Sequence, residues 1–195
     1  MLCGTRFDAG AVIVTTGTFL DGIIHVGDRS YPAGRAVESS ATGLSASLRE
    51  AGITTARLKT GTPPRLDRRT IDWDVLEPQH GDVPPHPFSY LTESVAQEQV
   101  PCHISYTNPE THRVILDNLE RSAMYGGRIH SVGPRYCPPI EAKCVRFPDR
   151  DRHQVFLEPE GRTTTEIYVN GVSTSLTEDA PIEINTPILR VALAI

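Results

Sequence analysis

Sixteen of the 195 residues are proline, and most of them fall between Pro63 and Pro148. Each proline fixes φ and removes a backbone donor, so it breaks helix interiors and is excluded from central strands. The distribution argues against a compact helix bundle and for an α/β chain with long, ordered loops. Hydrophobic residues make up 38% of the chain, enough for only a modest core.

Ala11–Thr15 is a continuous apolar run, the pattern of a strand buried on both faces in a parallel sheet. It leads into Thr16-Gly17-Thr18. Ile23–Val26 reads as a second strand. Leu44, Leu48 and Ala51 recur at helical spacing, with Gly52 as the terminator. Thr54–Leu58 reads as a strand running into Lys59-Thr60-Gly61-Thr62-Pro63-Pro64-Arg65, whose cations and hydroxyls suit either an anion site or a solvated turn. Leu66–Val100 reads as the loops of an insertion, with an apolar group at Ile71, Trp73, Val75 and Leu76. Cys102–Tyr106 reads as a strand. Asn108 then caps a helix that opens on Pro109 and buries Ile115, Leu116 and Leu119. Gln154–Leu157 and Thr165–Val169 read as two strands joined by a turn over Glu158-Pro159-Glu160-Gly161, and Asn170-Gly171 is a further turn.

The most distinctive stretch is Gly133, Pro134, Arg135, Tyr136, Cys137, Pro138, Pro139, Ile140, Glu141, Ala142, Lys143, Cys144, Val145, Arg146 and Phe147. It reads as a rigid loop that presents Cys137 among cations, and nearby positive charge favours a thiolate. An incidental surface cysteine is the plain alternative. The four cysteines, Cys3, Cys102, Cys137 and Cys144, show no CxxC spacing, which suits free thiols in a reducing, cytoplasmic setting. Neither they nor the seven histidines have zinc-ligand spacing, so no metal site is expected. A net charge of −5 gives no global pull toward nucleic acid, and no apolar run reaches membrane-spanning length. The chain contains neither Gly-x-Gly-x-x-Gly nor a Gly-x-Ser-x-Gly elbow.

Seven stretches stand together in one order. They are Thr15-Thr16-Gly17-Thr18-Phe19-Leu20, Arg57 to Arg65, His80-Gly81-Asp82, Val100-Pro101-Cys102, Gly133 to Pro138, Phe156 to Gly161, and Asn170 to Leu176. In this order and spacing the chain resembles, from about Ala11 to Leu176, the middle of the MnmG (GidA) family of tRNA uridine 5-carboxymethylaminomethyl modification flavoproteins.

The resemblance implies a partial glutathione-reductase-like FAD domain carrying a nicotinamide-binding-like α/β insertion. Residues 1–60 would be part of the FAD-binding domain, 61–153 the insertion, 154–180 the return to the FAD domain, and 181–195 a divergent tail. It implies FAD and NAD(H) as cofactors and methylenetetrahydrofolate as the carbon donor. The substrate would be tRNA, modified at the wobble-uridine C5, with the GTPase MnmE as partner and a homodimer as the assembly. The NAD-binding segment would be Gly133–Phe147, with Cys137 as the catalytic residue at the uracil ring. Lys59 and Arg65 would suit phosphate or flavin contacts. The family's Gly-rich pyrophosphate loop and its helical C-terminal domain have no counterpart among these residues, so the chain reads as an internal fragment. Two other readings stand beside this one. One is a catalytically inactive remnant or a nucleotide- or partner-binding module. The other is a relative of the folate-dependent tRNA uridine methyltransferases, which share a similar Lys-Thr-Gly-Thr-Pro-Pro-Arg stretch.

Overall fold

The computed structural model describes residues 4–133 and 138–177. They fall into two compact units, 4–24 with Ser30–Ala56, and His25–Arg29 with 57–133 and 138–177. The chain is mixed α/β, and its sheets are antiparallel.

Ile23–Val26 (β1) and Arg29–Pro32 (β2) form a two-stranded sheet. Helix α1 spans Leu44–Glu50. It stops at Gly52, whose φ of 82° lets Ile53 N–H reach back to Leu48 O and Gly52 N–H to Arg49 O, both at 2.9 Å. That pair is the Schellman closure, and only glycine adopts this φ without strain. The stripe expected from spacing is not buried: Leu44 is 40% exposed, whereas Ser45 points inward and bonds Asp21.

The larger unit is built on a five-stranded sheet. Its strands are Arg65–Asp67 (β3), Glu77–Gln79 (β4), Cys102–Tyr106 (β5), Gln154–Pro159 (β6) and Glu166–Asn170 (β7), in the order β3-β7-β6-β5-β4. β6 alternates inward and outward, with Val155 and Leu157 fully buried and Gln154 exposed. Leu157 stands opposite Val169 on β7 and His103 on β5, and Leu66 stands opposite Ile167. Leu66, Val155, Leu157, Ile167 and Val169 share one core with Ile115 of helix α2 (Pro109–Asp117) and with Ile140 and Cys144 of helix α3 (Ile140–Arg146).

Helix α2 forms where its sequence signals lie. Asn108 Oδ1 accepts from Thr111 N–H at 2.9 Å and from Thr111 Oγ1 at 3.0 Å, and Pro109 opens the first turn. Only Ile115 of the expected stripe is fully buried, and Leu116 is 45% exposed. Asn108→Ala is expected to cost about 1 kcal/mol, read as a lower urea midpoint with unchanged slope. An unchanged midpoint would show that the helix is held by packing alone.

Several expectations are corrected. Ala11–Thr15 forms no strand, and Val12 and Ile13 are 80% and 88% exposed. No described residue pairs with it, and a parallel strand without neighbours leaves its backbone groups to water. Thr54–Leu58 is extended but unpaired except for one parallel bridge, Leu58 to Val132. The span from Leu66 is not all loop: it closes the sheet at β4 and sends Ile71 and Leu76 into the core, while Val75 stays 53% exposed. Glu158 and Pro159 belong to β6, so the turn begins later. Residues Ile140–Arg146 are helix rather than loop. Ile182, Ile184, Ile188, Leu189 and Val191, apolar in sequence, lie outside the described residues. Among the described residues no helix is long and apolar enough to cross a membrane.

Candidate functional site

Three segments converge at the head of α3: the strip 57–65, the approach to Gly133, and 171–176 after β7. Leu58 bridges Val132 in parallel, and Lys59 N–H donates to Val132 O at 3.0 Å. Thr62 bridges Thr174 antiparallel, and Val169 N–H donates to Pro64 O at 3.3 Å. The approach is close at Gly61, where a Cβ would lie 2.9 Å from Ser173 Cβ and Oγ. Gly171 turns the chain with φ 101°, and a Cβ there would lie 2.7 Å from Gln154 O. A larger residue at either position would push these segments apart.

Glu141, in the first turn of α3, ties the segments together. It is fully buried. Its Oε1 accepts from Ser175 N–H and Thr174 Oγ1, each at 2.8 Å, and from Ser175 Oγ at 3.2 Å. Ser175 Oγ also lies 2.8 Å from Ser122 Oγ. Ile140 N–H donates to Ser173 O at 2.8 Å, and Lys143 Nζ donates to Gly171 O at 2.8 Å. The other carboxylate oxygen, Glu141 Oε2, is buried and has no hydrogen-bond partner. A buried acceptor in that state costs about 1–3 kcal/mol.

The residues singled out in Gly133–Phe147 divide by position. Gly133 and Pro138 are half-buried at the edge of the site. Pro134, Arg135, Tyr136 and Cys137 lie outside the described residues. Pro139, Ile140, Glu141, Ala142 and Cys144 are buried, whereas Val145, Arg146 and Phe147 face solvent. Burial and the neighbouring Glu141 push the Cys144 thiol up to about 11, so it is protonated at neutral pH and a poor nucleophile.

In the strip, Lys59 is only 4% exposed, whereas Thr60, Thr62 and Arg65 face solvent. Arg65 is engaged elsewhere. Its Nε lies 2.5 Å from Glu160 Oε1 and 3.7 Å from Glu166 Oε1, and its guanidinium stacks 4.2 Å from the Tyr168 ring centroid. It faces two glutamates rather than standing open to a phosphate. The paired Glu158 and Glu160 are bonded as well, Glu158 accepting from Asn170 Nδ2 at 2.9 Å.

Sequence reading missed Thr174 and Ser175 as partners of Glu141, and Ser122 as the partner of Ser175. The only local signal was that Ser173-Thr174-Ser175 follows the Asn170-Gly171 turn. Small hydroxyl residues have no periodicity that reveals their partner.

The family model described as glucose inhibited division protein A matches residues 2–188. A Geobacter metallireducens protein named tRNA uridine 5-carboxymethylaminomethyl modification enzyme MnmG is 58% identical over 187 residues, 96% of this chain and 29% of the relative. Its namesake in Geobacter sulfurreducens is 57% identical over the same shares. The crystal structure of Aquifex aeolicus GidA in form I superposes with a TM-score of 0.79 at 52% identity, covering 89% of this chain and 30% of that one. The chain thus spans under a third of the length of these relatives.

Proposed function

This chain belongs to the glucose inhibited division protein A family, and from that premise we propose that it supplies part of an enzyme that modifies C5 of the wobble uridine in tRNA. The modification is of the 5-carboxymethylaminomethyl type. The observation that carries this reading is the buried Glu141 network. It holds the head of α3 to Thr174 and Ser175, which follow β7.

Cys137 is the catalytic residue of this proposal. As a thiolate it adds to the polarised double bond of the uracil ring. Gly133–Phe147 is the nicotinamide-binding segment. NADH is the reductant of this proposal. When bound, FAD supplies the redox chemistry that couples NADH to a methylenetetrahydrofolate-derived carbon. The proposal includes the GTPase MnmE as partner, a homodimer and a cytoplasmic location.

The test is a chimera in which residues 11–176 replace the matching segment of the Geobacter metallireducens relative, expressed in cells lacking that enzyme. Mass spectrometry of tRNA nucleosides should show the modified wobble uridine. Cys137→Ser in the chimera should reduce it to background at unchanged protein level. Normal modification by that variant would remove Cys137 from the chemistry.

A further inference from the structure

Away from the Glu141 network, three elements bring His112, Cys144 and His153 together. Their nitrogen and sulfur donor atoms all lie within 4.8 Å of one another. His112 comes from the second turn of α2, Cys144 from the buried side of α3, and His153 from the residue just before β6. The imidazole centroids are 5.2 Å apart. His153 Nε2 is buried with no hydrogen-bond partner. We infer that His112, Cys144 and His153 form a metal site of the zinc class, with one thiolate, two imidazoles and a fourth position left to water.

The donor chemistry selects the metal. One soft sulfur and two imidazoles suit zinc over magnesium or calcium, which take oxygen ligands. Zinc bonds of about 2.3 Å to sulfur and about 2.0–2.1 Å to nitrogen place tetrahedral ligands roughly 3.3–3.7 Å apart. The three donors therefore close by about 1 Å on binding, a movement within reach of side-chain torsions. Binding breaks the Cys144 S–H bond, forms the metal–sulfur bond and releases one proton to solvent.

A supporting group is already in place. Thr107 is 2% exposed. Its Oγ1 accepts from His153 N–H at 2.7 Å and lies 2.8 Å from His112 Nε2, while Thr107 N–H donates to His153 O at 2.9 Å. When His112 Nε2–H donates to Thr107, Nδ1 carries the lone pair that binds metal. Outer hydrogen bonds of this kind orient metal-ligating histidines. His112 also lines a surface cleft of about 430 Å³ with Pro109, Arg113, Asp149 and Asp151, which gives the ion an entry path. The Asp151 carboxylate acts on His112 and offsets part of the ion's charge. Bound there, the ion would staple α3 to α2 and to the start of β6.

The test uses the 195-residue chain, stripped with chelator and titrated with Co2+ and then Zn2+. One Co2+ per chain should bind, with intense tetrahedral d–d bands and a thiolate-to-cobalt charge-transfer band, and Zn2+ should displace it. Cys144→Ser should lose the charge-transfer band, as should Cys144→Ala, which puts no hydroxyl into the core. Thr107→Val should weaken Zn2+ binding about 10–100-fold, and His153→Gln by more. Cys102→Ser and Cys137→Ser should keep both band and stoichiometry. A chain with a folded circular-dichroism spectrum that binds neither ion would overturn the site. So would a charge-transfer band that survives Cys144→Ala or vanishes in Cys102→Ser or Cys137→Ser.

Discussion

Leu157→Ala is expected to destabilise the larger unit by about 3–5 kcal/mol, the upper part of the range for deleting a fully buried leucine. Leu157 has no exposed surface and sits on β6, with a strand hydrogen-bonded on each side. Its neighbours are backbone-paired strands and packed helices, which cannot collapse into the space left behind. Domains of this size are stable by only about 5–15 kcal/mol, so the loss would be a large share of the total. Urea unfolding followed by circular dichroism reads it as a lowered midpoint. Leu91→Ala is the control: Leu91 is 95% exposed, and its replacement should stay within about 0.5 kcal/mol. Equal effects from the two substitutions would mean that the β6 core is not the centre of stability.

Glu141→Ala should also destabilise it, by a different route. The carboxylate is the acceptor for Ser175 N–H and Thr174 Oγ1. Ser175 Oγ has a second partner in Ser122 Oγ and can turn to it. The buried Ser175 N–H is then stranded at about 1–3 kcal/mol, and the half-buried Thr174 hydroxyl adds a smaller loss. Glu141→Gln keeps an accepting oxygen at the same place and puts an amide where Oε2 stands without a partner, so it should cost about 1 kcal/mol or less. Hydrogen exchange at the Ser175 amide separates the two variants. Alanine should accelerate it strongly, whereas glutamine should leave it nearly as protected as in the parent. Equal losses from alanine and glutamine would show that the site depends on the negative charge rather than on the accepting oxygen.

These two residues also mark the limits of what local patterns reveal. Leu157 belongs to an alternating run before a turn, and its burial follows from that alternation. Glu141 sits in a segment read as a loop because three prolines surround Cys137. Pro139 instead stands just ahead of a helix, a position that proline tolerates. Once α3 forms, its periodicity turns Glu141 inward with Ile140 and Cys144, and a buried carboxylate needs partners that no spacing along the chain announces.

The histidines show the same limit. His112 and His153 are distant in sequence and have no ligand spacing, yet α2 and the start of β6 bring both to Cys144. The shared hydroxyl of Thr107 bonds both of them, and it too is invisible to a reading of spacing.

By itself the sequence determined strand β5, helix α2 with its Asn108 cap, the β6–β7 pair and the turn at Gly171. In each case the signal that marks the element lies within a few residues, although β5 takes its ladder partners from β4 and β6. Tertiary structure alone decided that Ala11–Thr15 stays unpaired, that β3 and β4 close the edges of the sheet, and that Glu141 meets Ser175 and His112 meets Cys144. Those outcomes rest on hydrogen bonds and packing between segments far apart in the chain. Their free energy exists only once the intervening loops have closed.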